Sequence, residues 1–309
     1  MKIETLRRFD VLPSIHTYRG LSLSVALGCR IRILLKYMIQ RMLLKRPEKA
    51  RLNVLALEVG SRRGRSALIV AGGRSSRLLD PEKIKMAQRD GLDVFGMNMY
   101  SRSVLAGSVI PNFYALCDPQ FFEVGQDGTL PAAYRDVWDY VLSSRGTRLL
   151  LPFNRPAPDI ARDRTLWFND LGLEGWSKNV NPLRARGYSS MVAFSTLAIT
   201  LFLGYDRIYL SGVDNDMFKS VQRSPDGKLY FGSGTHHHPS VAMAEVGSAQ
   251  GVNIYKGGVA AYFEDVARLF AELHLFSNDR IRHLDPVSLV DAFQRQASPG
   301  DIKLTLDEE

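Results

Sequence analysis

Three consecutive histidines, His236, His237 and His238, stand in the stretch Gly232-Ser233-Gly234-Thr235-His236-His237-His238-Pro239 and make up half of the six in the chain. An imidazole titrates near neutrality and takes a proton from an attacking hydroxyl, which suits group transfer to an alcohol. Two alternatives exist for the same residues. His236 and His238 could share a metal, although no Asp, Glu or Cys accompanies them at ligand spacing. A solvated loop would need no chemistry at all. His16, His274 and His283 lack such polar company and are expected to be structural.

A second group of polar residues falls where apolar runs end. The run SALIVAG (66–72) passes into Gly72-Gly73-Arg74-Ser75-Ser76. Small residues there let backbone N–H groups approach a phosphate, and a following helix N-terminus adds a favourable dipole. The sequence is neither Gly-x-Gly-x-x-Gly nor a P-loop, because no Gly-Lys-Ser/Thr follows, and a glycine turn after a strand is also ordinary architecture. Asn98, Asp118 and Asp214 occupy equivalent positions after later runs. A short amide or carboxylate at such a point holds a base, a ribose edge, a hydroxyl or a cation, or else caps the next turn.

The elements that must position these residues follow from the hydrophobic pattern. Strands are expected at 66–72, DVFGMN (93–98), NFYALCD (112–118), TRLLLPF (147–153), RIYLSGVD (207–214), KLYF (228–231) and IRHLD (281–285). Helices are expected at 81–89, 132–144, 259–276 and 288–295. Residues 154–188, with Trp167 and Trp176, show no clear period. Residues 189–205 carry no charge, but at 17 residues and with a strand directly after, they fit a helix buried against a sheet and closed by Gly204. Such alternation predicts an α/β, Rossmann-like, mostly parallel sheet with helices on both faces, binding ligands at the carboxyl ends of its strands. Residues 61–298 are expected to form that domain, with lid-like insertions near 154–188 and 215–258, between a basic helical segment (1–60) and an acidic tail (299–309).

Composition narrows the class. Hydrophobic residues are 45% and charged residues 23% of 309, which fits a globular protein with a sizeable core and excludes a chain disordered throughout. Cys29 and Cys117 alone make no disulfide framework, consistent with a reducing compartment. The net charge of +8 is concentrated at one end. Residues 1–50 hold 11 Lys and Arg against 3 Asp and Glu, and the remainder is neutral. That argues against a general nucleic-acid-binding face. Within it, Ile31, Leu34, Leu35, Met38, Ile39 and Met42 recur at helical spacing, with Arg30, Arg32, Lys36, Arg41 and Lys45 largely on other faces. Residues 30–46 thus suit either an anionic membrane surface or packing on the main domain. The uncharged run 21–29 is too short to span a bilayer.

ALIVAGGRSSRL, DVFGMNMY, FYALCDPQFF, the apolar helix running into LGYDRIYLSGVD, and IRHLDPVSLVDAF, in order over residues 66–295, resemble the bacterial CMP-sialic-acid-dependent sialyltransferases. They also resemble the wider superfamily of Maf-type flagellin glycosyltransferases and hydroxymethylpterin diphosphokinase-like proteins. The resemblance implies a glycosyltransferase that moves a nonulosonic acid from a CMP-sugar donor to a glycan or lipid-linked acceptor, with no catalytic metal, in the cytoplasm or on the inner face of the plasma membrane. Gly72, Gly73, Arg74, Ser75, Ser76, Asn98, Asp118 and Gln120 would then hold nucleotide and phosphate. Gly73 and Ser75 stand where the sialyltransferases have Asn and Pro. Ser189 and Ser190 fall near the family's Thr-Ser-Gly, and Gly212 and Asp214 belong to its Ser-Gly-x-Asp. Tyr230 is the nearest counterpart of the phosphate-binding tyrosines, and one of His236, His237 and His238 takes the place of the general base. The kinase-like relatives imply instead a diphosphoryl transfer using Mg²⁺ on Asp118, Asp214 and Asp216. A non-catalytic nucleotide-sugar binder is the third alternative.

Overall fold

The apolar runs assemble around one central sheet. A computed structural model describes residues 46–123, 132–155, 159–173, 177–214, 217–223, 229–231, 244–245, 258–285 and 288–295, together with Ile31, Leu34, Leu35, Tyr37, Met38, Ile39, Met42 and Leu44. The strands are β1 (Ser66–Val70), β2 (Leu92–Met97), β3 (Phe113–Ala115), β4 (Arg148–Pro152), β5 (Thr165–Phe168), β6 (Arg207–Ser211), β10 (Ile281–His283) and β11 (Gln294–Arg295). They form an eight-stranded sheet in the order β11-β10-β6-β1-β2-β3-β4-β5, parallel at every pairing. A small antiparallel sheet joins β7 (Val221–Arg223), β8 (Leu229–Phe231) and β9 (Ala244–Glu245).

The pleat explains why both faces need helices. Ala67 and Ile69 of β1 enter one buried cluster, Leu68 and Val70 the other. The first cluster is completed by Phe194, Leu197 and Ile199 of α4 (Val192–Leu203) and Leu273 of α5 (Gly258–Leu273). The second takes Ile84 from α2 (Pro81–Arg89) and Val137 and Trp138 from α3 (Arg135–Ser143). This is a doubly wound, Rossmann-like α/β domain. Its strands are buried on both sides, which is why they read as continuous apolar runs.

Local signals fix the element ends. Pro81 opens α2, where its missing N–H costs nothing, and the Asp80 carboxylate accepts from the Glu82 and Lys83 amides. Gly204 closes α4 at φ 87, and the last carbonyls of that helix accept from Gly60 N at 3.1 Å and Arg62 N at 2.9 Å. The loop after α1 (Arg46–Ala56) thereby becomes the C-terminal cap of α4. Helix α1 itself packs on the sheet edge: Leu55 is fully buried, and Arg51 donates to the Phe153 carbonyl at 2.9 Å while lying over the Trp167 ring.

Two expectations are corrected. The stretch 154–188 contains the edge strand β5, buried at all four positions and paired with β4, and a short 3-10 turn at Asp159–Arg164. A four-residue strand between prolines and asparagines leaves almost no period to detect. Residues 288–295 do not form a helix but lead irregularly into β11. The Ser288 hydroxyl accepts from Val290 N at 3.1 Å, a local bond that competes with helix formation. Arg295 gathers the carbonyls of Asp285, Ser288 and Val290. Eight residues are too few to nucleate a helix against those contacts.

Candidate functional site

Strand order reverses between β1 and β6: the chain builds outward from β1 to β5, then returns to lay β6 on the other side of β1. Ligands in such sheets bind outside the carboxyl ends at that switch point. Here the two segments leaving β1 and β6 are fastened to each other. Ala71 N donates to Ser211 O and Gly73 N to Gly212 O, both at 2.8 Å. Ser75 N donates to Asp214 Oδ2 at 2.9 Å, and the Ser75 hydroxyl donates to Asp214 Oδ1. Gly212 N in turn donates to Ser75 Oγ at 2.8 Å.

Glycine is required for this closeness. A Cβ on Gly73 would sit 2.8 Å from Asp214 Cγ, and one on Gly212 would sit 2.7 Å from the Ala71 carbonyl carbon. Gly212 also has φ +74, a conformation open to glycine at no steric cost. Asp214, 5% exposed, is therefore a brace whose carboxylate receives the turn. The same bonds occupy the Gly73 and Ser75 amides, and Ser76 N reaches Gly73 O at 3.3 Å. Among the described residues, the Gly72 and Arg74 amides keep no protein partner, and the Arg74 side chain is exposed.

The neighbouring strand ends are arranged differently. Asn98, directly after β2, has φ 44, the one non-glycine residue with positive φ among those described. Asparagine tolerates that conformation better than most, at a cost that the surroundings must offset. They do so on three sides. The Tyr114 hydroxyl donates to Asn98 O at 2.7 Å, Cys117 N donates to Asn98 Oδ1 at 3.4 Å, and Asn98 Nδ2 donates to Asp118 Oδ2 at 2.7 Å. Asp118 does not cap the following 3-10 turn Pro119–Phe122, so its carboxylate is held at the strand edge by Asn98. Burial pushes that carboxyl up to about 6, and the Asp170 carboxylate beyond β5 adds to the rise. Gln120 lies half-buried in the same turn.

Around this edge stand groups that the sequence did not single out. Asp170 is paired with the buried Arg186 at 2.9 Å, and Arg186 also donates to the Tyr188 carbonyl. The buried Cys117 thiol is pushed up by burial first, then by Asp170 and Asp118. Arg155 lies over the Phe122 ring at 5.5 Å. No motif links Asp170 and Arg186 to the Asn98–Asp118 pair along the chain. Only the adjacency of β3, β4 and β5 does.

The remaining expected positions divide. Ser189 and Ser190 precede α4; Ser189 N donates to Glu272 Oε2 at 2.7 Å, its hydroxyl is buried without a partner, and Ser190 is exposed. Tyr230 lies in β8, its backbone opposite Gln222 and Glu245. His236, His237 and His238, with Asp216, lie outside the described residues. His283, read as structural, is fully buried, with Nε2 at 3.1 Å from Val213 O and Nδ1 at 3.2 Å from the Asp285 amide. Burial holds its pKa below the usual value. Both ring nitrogens are therefore engaged beside the Asp214 brace. Among the described residues no group of three His, Cys, Asp or Glu side chains is placed to hold a metal ion.

A doubly wound α/β domain with polar groups gathered at its carboxyl edge is the class that these observations define. No family model matches the chain, and no curated protein matches it. Among solved structures it is similar to a Maf glycosyltransferase from Magnetospirillum magneticum AMB-1, at 17% identity and a TM-score of 0.41. That similarity covers 92% of this chain and 43% of the other, so the chain spans less than half the length of that protein.

Proposed function

We propose that the chain is a glycosyltransferase that takes a nonulosonic acid from a CMP-linked donor and passes it to a hydroxyl of a glycan or lipid-linked acceptor. The observation that carries this proposal is the Asn98–Asp118 pair at the carboxyl ends of adjacent strands, next to the glycine turn after β1. An asparagine with a strained backbone holding a carboxyl that burial has raised to about 6 is an arrangement that stability alone does not require. The sequence resemblance over 66–295 supports the same reaction class.

In this proposal the Gly72 and Arg74 amides and the Arg74 guanidinium meet the donor phosphate, and Asn98, Asp118 and Gln120 meet the nucleoside. Asp214 acts through the turn that it braces. Ser189, Ser190 and Tyr230 would complete the donor site. The acceptor oxygen bonds to the anomeric carbon as the bond to the phosphate oxygen breaks. CMP leaves with that electron pair, and a histidine from 236–238 takes the hydroxyl proton.

A thermal-shift comparison of CMP, CDP, UDP, GDP and ATP tests the nucleotide. A ligand present at about 100 times its Kd and bound only by the folded chain adds about 2.7 kcal/mol. CMP should give the largest shift, and Asp118→Asn should reduce it. A shift from ATP alone would favour diphosphoryl transfer. Transfer that survives EDTA would speak for the glycosyl reaction, whereas a Mg²⁺ requirement would speak for the diphosphoryl one. Single substitutions of His236, His237 and His238 test the base, and turnover unaltered by all three would remove it from the mechanism.

A further inference from the structure

The helical residues ahead of α1 leave an apolar stripe uncovered. Ile31, Leu34, Leu35, Met38 and Met42 are exposed by 49%, 44%, 50%, 49% and 79%. At 3.6 residues per turn their spacing holds them within a stripe about 100° wide. The segment is nonetheless attached to the domain: Leu44 at its end and Leu52 of α1 are half-buried against the cluster that contains α2 and α3. A single exposed leucine is ordinary, but five large exposed apolar side chains at helical spacing are the mark of a surface that binds something.

The charge pattern says what. Residues 1–50 carry 11 Lys and Arg against 3 Asp and Glu, the whole of the chain's excess. Along the sequence Arg30, Arg32, Lys36, Arg41 and Lys45 alternate with the residues of the stripe. We propose that this segment seats the protein on an anionic lipid surface, with the stripe in the headgroup layer and the cations on the lipid phosphates. A second copy of the chain would also cover the stripe, but it would bring two sets of like charges together, whereas an anionic bilayer neutralises them. No helix among the described residues is long and apolar enough to cross a membrane, and the proposed attachment is along the surface. Whatever reaction the carboxyl edge of the sheet supports, this attachment is independent of it.

Sedimentation of the full chain with mixed phosphatidylcholine–phosphatidylglycerol vesicles, beside phosphatidylcholine vesicles alone, tests the proposal. The chain should pellet with the anionic vesicles and stay in solution with the neutral ones, and high salt should weaken the binding. The double variant Leu35→Glu, Met38→Glu should bind at least about tenfold more weakly with an unchanged melting temperature, because both side chains are exposed. Failure to pellet with anionic vesicles, or equal binding by the variant, overturns the proposal. So does light scattering that finds the wild-type chain dimeric and the variant monomeric, because the stripe would then belong to a self-contact.

Discussion

Two places at the carboxyl edge of the sheet look alike in sequence and behave differently in space. After β1 and β6, Ser75, Ser76 and Asp214 are buried: Ser75 and Asp214 bond to each other, and Gly73 and Gly212 let their backbones touch. After β2 and β3, Asn98 is held in a strained conformation to position Asp118, whose carboxyl is shifted to about 6. The first arrangement surrounds the Asp214 carboxylate with donors and adds rigidity. The second holds a carboxylate in a state that costs stability. A polar residue at a strand's carboxyl end is thus a candidate for chemistry only once its partners are counted.

The largest effects should come from the first region. Gly212→Ala places a Cβ against the Ala71 carbonyl at φ +74 and should destabilise the fold by about 3 kcal/mol or more, read as a fall in the urea midpoint at constant slope. Asp214→Ala leaves the Ser75 amide and hydroxyl without their acceptor and should cost about 2–3 kcal/mol. If both variants kept wild-type stability, the contrast between the two edges would collapse.

Asp118→Asn should do the opposite. A carboxyl whose folded pKa lies above its unfolded value of 3.8 binds protons more readily in the native state. Its contribution to stability is complete below pH 3.8 and is lost as pH rises through about 6. The variant, neutral at every pH and still able to accept from Asn98, should exceed wild type at pH 7 by on the order of 2 kcal/mol and match it at pH 4. It should also lose nucleotide binding. A stability difference independent of pH would show that the carboxylate is not perturbed.

Smaller still is the effect expected at Asn98. Asn98→Gly keeps the backbone at φ 44 and loses the amide; Asn98→Ala loses both and should be the less stable by about 1 kcal/mol. If the two were equally stable, the backbone there would carry no strain. Last, Cys117, buried with its thiol pushed up, should react with iodoacetamide in denaturant and resist it in the native protein. Rapid native labelling would mean that the strand edge opens.

Much of the fold was legible because each signal was local. The helical pattern placed α2 at 81–89, Gly204 marked the end of α4, and uninterrupted apolar runs marked strands covered on both faces. Where a signal was weak, the expectation failed. β5 is four residues long, and Ser288–Arg295 had a helical pattern but too little length to hold it against the Ser288 turn. The candidate site was legible by position and less so by role. Gly72–Ser76, Asn98, Asp118 and Asp214 all lie at the predicted edge, yet nothing along the chain distinguishes the Asp that braces from the Asp that is held, and Asp170 and Arg186 carried no signal.

The sequence by itself determined the alternation of strand and helix, the basic N-terminal segment and the residues delivered to one edge, because these depend on periodicity and on the backbone preferences of Gly, Pro and Asn. Only the tertiary structure decided which carboxylate accepts hydrogen bonds from Ser75 and which is lifted by burial beside Asp170. Those differences arise between strands brought together by the crossover from β5 to β6 and by the stacking of β3, β4 and β5. A carboxyl's chemistry is set by the groups within a few ångströms of it, and chain order does not say which groups those are.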